Sequence, residues 1–209
     1  MPKVTGVFGE FENFDRIPIE DIARWLSPIP NTLALYNFYA NRIYYPQTVA
    51  ISGEELKFDL AILTELLARD NKKFINKNNK KIIIPEHFLA RFPDVFGLVS
   101  AFINGYLYGL PEPFGVWNVT EKGEKAEDRL ASVVIPKFDN INGLFNFSLN
   151  NKKLKVQAGK FINVGCSQDK CKLIYQLSNG SLLGRNEGMV EVYGGLGGVF
   201  IDGRKYGAK

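Results

Sequence analysis

Histidine and cysteine, the residues most often used for zinc binding and nucleophilic catalysis, are scarce in this chain. Its 209 residues include one histidine, His87, and two cysteines, Cys166 and Cys171. These side chains cannot supply the four Cys/His ligands of a structural zinc site, so such a site is excluded. A histidine base would have to be His87, which lies at the start of a short amphipathic helix, where a lone histidine is more often packed or on the surface, and general-base catalysis needs a partner within reach. We therefore expect no catalytic residues, no metal and no cofactor.

Long apolar runs are missing as well. No stretch of about eighteen apolar residues is present, which predicts that no segment spans a membrane. Residues 1–8 have neither the basic region nor the apolar region of a secretory signal, so we expect a cytoplasmic protein. Because cytosolic proteins rarely keep disulfides, Cys166 and Cys171 are expected to be reduced, and a disulfide that closes a small loop is the alternative.

Aromatic residues and positive charge are what the chain does have. It contains 16 phenylalanines and 9 tyrosines, enough for a sizeable core, and its formal net charge is +4. That charge permits a nucleic-acid partner without requiring one, because basic residues must also cluster to bind a polyanion. The carboxylates Glu10, Glu12 and Asp15 leave open a metal-dependent enzyme, although such clusters are more typical of a solvated segment before a helix.

The first half of the chain has the periodicity of helices. Apolar spacing predicts helices over residues 18–26, 31–45, 52–69, 85–92 and 94–108, after a first strand over 3–8. Ser52 and Glu55 form a capping-box pattern at the start of the clearest helix. The aromatic group of the second helix is expected to lie in the core and consists of Tyr36, Phe38, Tyr39, Tyr44 and Tyr45.

The second half alternates like strands. Strands are predicted over 115–119, 132–135, 144–149, 152–157, 189–193 and 199–201, with one helix over 169–178. Asn150 and Asn151 predict a two-residue hairpin turn with positive φ. The sequence thus predicts an α+β fold with a helix-rich half, 1–110, and an antiparallel β-rich half, 111–209. The two halves form either two units or one integrated domain.

Basic residues cluster in two predicted hairpins. One covers residues 72–84, turning at 76–79, and the other contains the strand at 152–157. Lysine neutralises phosphate and aromatic neighbours stack on bases, which favours nucleic-acid binding; the alternative is that the lysines only protect strand edges. The candidate nucleic-acid-binding residues are Lys72, Lys73, Lys77, Lys80, Lys81, Lys152, Lys153, Lys155, Arg185 and Asn186.

Arg185 and Asn186 belong to a glycine-flanked turn. Residues 181–192 read Ser-Leu-Leu-Gly-Arg-Asn-Glu-Gly-Met-Val-Glu-Val, and glycines at 180, 184 and 188 let the backbone approach another group closely. An arginine between glycines has room to reach a phosphate. The alternative is a polar turn that leads into a surface strand.

Two segments together carry a family resemblance. Residues 27–33, Ser-Pro-Ile-Pro-Asn-Thr-Leu, precede a helix, and residues 183–192 contain a Leu-Gly-Arg-Asn-Glu turn that enters a Val-x-Val strand. This pair resembles the RAMP-type subunit that binds the five-prime handle of the guide RNA in archaeal type I CRISPR effector complexes. The resemblance implies a ferredoxin-like core with a basic β-hairpin, contacts with other protein subunits, and Arg185 and Asn186 beside the RNA.

The sequence therefore leads to a main hypothesis and an alternative. The main hypothesis is a non-enzymatic RNA-binding subunit of a larger ribonucleoprotein complex, which holds RNA rather than cutting it because no histidine lies near either motif. The alternative is a structural or assembly protein of a virus or mobile element, favoured by the aromatic content and the β-rich second half.

Overall fold

The chain divides into two compact units. Unit 1 takes Met1–Asn76 and Pro85–Leu110, and unit 2 takes Lys77–Ile84 and Pro111–Lys209. The computed structural model describes residues 16–70, 80–84, 86–110, 112–121, 129–166 and 170–204. Helices lie in unit 1 and strands in unit 2 within these ranges, so the predicted α+β class is confirmed.

Unit 1 is helical. Its helices are α1 (Ile19–Ala23), α2 (Thr32–Tyr44), α3 (Gly53–Asp70), α4 (Glu86–Arg91) and α5 (Val95–Ala101), the last continued by a π-helix (Phe102–Tyr106) and a 3-10 helix (Leu107–Gly109). The five predicted helices are confirmed.

Local capping fixes where two of these helices begin. The Asn31 side chain accepts a hydrogen bond from the Ala34 amide at 2.9 Å, at the start of α2. Ser52 Oγ accepts from the Glu55 amide at 3.2 Å, and Glu55 Oε2 accepts from the Ile51 amide at 2.8 Å, before α3. These side chains satisfy amides that have no partner within the helix.

The core of unit 1 forms around α3. Phe58, Leu63 and Leu67 are buried on this helix. The π-helix packs tightly against it, because a Cβ at Gly105 would collide with the Thr64 carbonyl oxygen. Glycine is therefore required where the two backbones approach.

Two buried carboxylates of α3 are paired with arginines. Asp59 accepts two hydrogen bonds from Arg42 of α2, at 2.5 and 3.1 Å. Glu65 accepts from Arg24 at 2.5 Å and from Arg69 at 2.7 Å. Burying a charge is costly unless it is paired and hydrogen-bonded, and both carboxylates meet that condition.

Unit 2 is built from strands. They are β1 (Lys81–Ile83), β2 (Gly115–Thr120), β3 (Arg129–Ile135), β4 (Lys137–Phe138), β5 (Leu144–Leu149), β6 (Lys152–Gln157), β7 (Phe161–Val164), β8 (Cys171–Ser178), β9 (Gly180–Ser181), β10 (Glu187–Val192) and β11 (Gly198–Asp202). The six strands predicted in the second half are confirmed, β5 and β6 with the predicted bounds.

The strands form three sheets. A mixed sheet has the order β1-β2-β3-β11-β7, with β1 parallel to β2 and β3 parallel to β11. An antiparallel sheet has the order β10-β8-β5-β6, and β4 pairs with β9 in a short ribbon. The predicted turn between β5 and β6 is confirmed, since Asn150 and Asn151 have φ of 50° and 66°. Left-handed values at both positions match the twist of a two-residue hairpin.

Residues of the mixed and antiparallel sheets share one core. Val134, Val199 and Ile201 come from the mixed sheet and lie in the same buried cluster as Phe145 and Leu173 of the antiparallel sheet. The antiparallel sheet alternates between buried and exposed positions, with one side of β5 and β8 in the core. Its other side is exposed and is called the open face below.

The helix predicted over 169–178 is wrong, because this segment contains the strand β8. Its burial alternates at every residue from Cys171 to Ser178, and it pairs with β5 on one side and β10 on the other. Leu173, Ile174 and Leu177 also fit a helical spacing, so the local pattern is ambiguous. Pairing on both edges, with β5 and with β10, decides in favour of β structure.

The ferredoxin-like core implied by the resemblance is not found in the described part of unit 2. That core needs a β-α-β-β-α-β order of elements. Among the described residues from β2 to β11, each strand is followed by another strand, with no helix between them. The core consists of two sheets instead.

Two further expectations are corrected. Cys166 and Cys171 are joined in a disulfide, although the sequence predicted free thiols. Both cysteines are buried in the core of unit 2 where their sulfur atoms meet, a proximity that spacing alone does not show. The aromatic group of α2 is largely exposed rather than buried, as with Tyr36 and Tyr44.

Several predictions lie outside the described residues. These are the strand over 3–8, the turn of the basic hairpin with Lys72, Lys73 and Lys77, the carboxylates Glu10, Glu12 and Asp15, and the side chain of His87. No helix in the described ranges is long and apolar enough to cross a bilayer.

Candidate nucleic-acid interface

The open face of the antiparallel sheet is an extended polar surface formed by four strands of unit 2. Strict alternation along β5 and β8 buries Phe145, Phe147 and Tyr175 and leaves the intervening side chains on the other side. The same alternation applies to β6 and β10. The open face therefore combines side chains from all four strands.

Register places these side chains in rows across the sheet. In one row, Lys155 is opposite Asn146, Asn146 is opposite Gln176, and Gln176 is opposite Glu187. The next row contains Lys153, Ser148, Ile174 and Met189, paired in the same way. Directly opposed side chains in antiparallel strands are close enough to act on one ligand.

The rows line an open groove. Its volume is about 750 Å³, and its lining residues are Asn146, Phe147, Ser148, Lys153, Leu154, Lys155, Ile174, Tyr175, Gln176 and Glu187. Phe147 and Tyr175 are buried on the core side of the sheet, while the charged and amide side chains form the surface of the groove. The groove thus has ammonium groups at the β6 edge, amides in the middle and a carboxylate at the β10 edge.

Of the three lysines predicted on β6, two are on this groove. Lys153 and Lys155 face it from alternate positions, and both are exposed. Lys152 pairs with Leu149 and therefore lies on the opposite side of the strand. Alternation by one residue separates a lysine that borders the groove from one that does not.

Arg185 and Asn186 lie in the connection between β8 and β10. The Leu182 amide donates to the Arg185 carbonyl at 2.8 Å, and the Arg185 amide donates back at 3.1 Å. Leu183 and Gly184, the two residues between them, have φ of 54° and 78°. Arg185 is exposed on this tight turn, two residues before Glu187 of the groove.

The flanking glycines serve the fold of this segment. A Cβ at Gly180 would collide with the Lys137 carbonyl oxygen of β4, and one at Gly188 would lie 3.1 Å from the Tyr175 hydroxyl. That hydroxyl donates to the Leu182 carbonyl at 3.0 Å and secures the turn. Burial raises the pKa of Tyr175, and the nearby charge of Arg185 partly offsets this rise. The close approaches predicted for two of these glycines are therefore made within the protein.

Lys80 differs from the exposed lysines of β6. Its Nζ donates to the Phe114 carbonyl at 2.5 Å, and burial lowers its pKa. An ammonium group already bonded to a backbone carbonyl is poorly suited to a phosphate. Lys81 is half-buried at the start of β1, so neither residue is brought to the groove by strand pairing in the described part of the sheet.

The groove residues of β5 and β8 are not among those predicted from the sequence. Asn146, Ser148, Gln176 and Ile174 are polar or exposed members of alternating segments, and that alternation is the signal that could have found them. In β8 this alternation is harder to recognise, because Leu173, Ile174 and Leu177 also fit a helical spacing. Among the described residues, no group of three or more His, Cys, Asp or Glu side chains is placed to hold a metal ion.

No protein-family model, curated protein or solved structure matches this chain.

Proposed function

We propose that this protein is a non-enzymatic RNA-binding subunit of a larger ribonucleoprotein complex and that RNA binds along the open face. The observation that supports the proposal most is the placement of Lys153 and Lys155 on one side of β6, directly across from Asn146 and Ser148. Ammonium groups in a line along an open groove are suited to neutralising successive phosphates of a polynucleotide.

The order of side chains across the sheet indicates where the phosphates and the bases of a bound RNA strand lie. Phosphates follow the β6 edge, where the lysines lie. The bases then extend over the amides of Asn146 and Gln176, which both donate and accept hydrogen bonds. The exposed apolar side chains of Ile174 and Met189, which pair across β8 and β10, offer surface against which bases can pack. A single strand fits better than a duplex, whose base edges are enclosed in grooves.

Salt dependence of binding tests this assignment. Lys153→Gln with Lys155→Gln should lower affinity for a labelled single-stranded RNA and reduce the slope of log K against log salt by about 1.4, since each phosphate contact contributes about 0.7 for single strands. Fluorescence anisotropy over a series of salt concentrations measures both quantities.

Lys152 provides the matched control. It lies on the same strand and is exposed, but it is on the other side of the sheet. Lys152→Gln removes one ammonium group from the same strand, where a groove contact would reduce the slope by about 0.7, and should leave the slope within error of the wild type. Equal effects of both changes, or a wild type that binds no RNA, would contradict the proposal.

The guide-RNA handle is the specific form that the resemblance gives to this proposal. In that form Arg185 contacts the RNA from the turn beside the groove, and the protein holds RNA without cleaving it. Sequencing the RNA that copurifies from the native host separates this form from general binding. Short RNAs with one common five-prime end would support it, whereas a heterogeneous population would leave only the general proposal.

A structural or assembly protein of a virus or mobile element is the second candidate. The observation that favours it is the apolar exposed side of α2, which carries Leu33, Tyr36 and Tyr44. This candidate predicts assembly into particles without nucleic acid, which light scattering on nuclease-treated protein detects. Protein that stays small after nuclease treatment would contradict it.

A further inference from the structure

One exposed side of α2 carries apolar residues from its first turn to its last. Leu33 and Tyr44, at its two ends, are 72% and 75% exposed, and Tyr36 and Ile43 are exposed between them. Together with half-buried Ala40, these residues recur at helical spacing along one side. The set Leu33, Tyr36, Ala40, Ile43 and Tyr44 is called the uncharged face.

Charge is absent from this side of the helix. Within Thr32–Tyr44, all of which is described, Arg42 is the single charged residue, and it is buried. Asn37 and Asn41, which border the uncharged face, are polar but neutral. A solvent-exposed helix normally presents charged residues to water, so this arrangement is typical of a surface that another molecule covers.

Contacts with α3 hold this face outward. Leu35 is buried on the opposite side of α2, and the Phe38 ring lies 5.8 Å from the Phe58 ring of α3. The Arg42–Asp59 pair lies on the same side. Rotating the uncharged face inward would expose the apolar residues that now pack on α3 and break the buried ion pair, so its exposure is a consequence of the packing of unit 1.

The exposed apolar area is large enough for a specific interface. Flanking residues Ile29, Tyr45, Val49 and Ile51 are exposed as well. Taking about 200 Å² for each aromatic side chain and somewhat less for each aliphatic one, and scaling by exposure, the uncharged face alone presents on the order of 450 Å², and the face with its flanks on the order of 900 Å². A standard interface buries about 800 Å² per partner, whereas the largest apolar patch of a monomer is about 300–600 Å².

We propose that the uncharged face binds the same face of a second copy of this chain, with the two α2 helices antiparallel. A face without charge meets itself without repulsion, which a two-fold interface requires because each patch is paired with its own copy. Antiparallel helices also align their dipoles favourably. The positions 33, 36, 40 and 43 follow the alternating three- and four-residue spacing of a helix–helix seam, with Tyr44 beside its end, and Ala40 lets the two helices approach near the middle.

Single charge substitutions test the interface in the full chain. Leu33→Asp places a carboxylate near the start of α2, and Tyr44→Lys places an ammonium near its end, where each charge is compatible with the helix dipole. Each change should weaken dimerisation at least about tenfold, because burying an unpaired charge is costly. Analytical ultracentrifugation over a micromolar concentration series measures the dimer dissociation constant.

Ile141→Asp is the matched control, because Ile141 is an exposed apolar residue of unit 2, at 78% exposure. It should leave dimerisation unchanged. A wild-type chain that is monomeric throughout the series overturns the proposal, and so does a dimer that neither α2 variant weakens. Binding of a monomeric wild type to neutral phosphatidylcholine vesicles would overturn it too, by assigning the face to a membrane surface.

The double variant tests the antiparallel arrangement. In an antiparallel pair, position 33 of one copy lies beside positions 43 and 44 of the other, so the carboxylate introduced by Leu33→Asp is close to the ammonium introduced by Tyr44→Lys. The double variant should therefore dimerise more tightly than either single variant. A double variant as weak as the sum of the two changes would overturn the antiparallel register. RNA binding by unit 2 does not enter this test, so the two proposals fail independently.

Discussion

The buried ion pair between α2 and α3 provides a stringent test of how unit 1 is held together. The Arg42 and Asp59 side chains are 6% and 1% exposed, and Arg42 also donates to Thr48 Oγ1 at 2.6 Å. Arg42→Met keeps most of the aliphatic length and removes the charge and all three hydrogen bonds. It leaves Asp59 buried without its main partner.

The expected loss follows from this burial. Removing one partner of a buried pair costs about 3–5 kcal/mol, because the remaining charge is uncompensated. Asp21→Asn is the control: it breaks the pair between Asp21 and Arg69, whose side chains are 38% and 43% exposed. Exposed pairs contribute about 0–1 kcal/mol, so this change should have little effect.

The loss should also depend on pH. Burial raises the pKa of Asp59 above its ordinary value of 3.8, and the Arg42 guanidinium works against that rise. Without Arg42 the pKa in the folded state rises further, so the folded protein binds a proton more readily than the unfolded chain. Stability of the variant relative to wild type is therefore greatest below 3.8 and falls as pH rises through the folded pKa.

Urea unfolding followed by tryptophan fluorescence measures these differences. The chain has two tryptophans, Trp25 in unit 1 and Trp117 in unit 2, so a Trp117→Phe background reports unit 1 alone. A difference of less than about 1 kcal/mol at neutral pH, or an equal difference at acidic and neutral pH, would refute the reasoning.

Two further predictions concern backbone geometry in unit 2. Gly195→Ala should destabilise unit 2 by about 1–3 kcal/mol or more, because φ is +50° and the added Cβ would lie 2.6 Å from the Leu130 carbonyl oxygen. The control is Gly159→Ala, because Gly159 has φ of +83° but open space around it, so the difference in melting temperature between the two variants measures the effect of the collision. Equal losses of stability would contradict this prediction. Asn151→Gly should stabilise the β5–β6 hairpin by a few tenths of a kcal/mol, since Asn-Gly suits two left-handed residues better than Asn-Asn; a lower melting temperature would contradict it.

Elements with a local cause could be predicted from the sequence. The caps at Asn31 and Ser52 and the turn at Asn150 and Asn151 depend on side chains next to the backbone that they affect. The lysines of β6 could be found too, because a dense cluster of charge is visible in the sequence. For these features the physical determinant lies within a few residues.

Features that depend on distant pairing could not be predicted in this way. The segment 171–178 suits a helix or a strand, and it forms β8 because β5 and β10 pair with both of its edges. The division of the β6 lysines between the two sides of the sheet follows from the register with β5. The Lys80 ammonium group is hydrogen-bonded to the carbonyl oxygen of Phe114, which is 34 positions away in the sequence.

The orientation of α2 separates the local contribution from the tertiary one. Local sequence is enough to make residues 32–44 a helix with apolar residues on more than one side. Which side is buried depends on packing against α3, because Arg42 must face Asp59 for either charge to be tolerated away from water. Hydrophobicity alone would favour burying Leu33, Tyr36 and Tyr44, and the buried ion pair and the Phe38–Phe58 contact hold them on the surface instead.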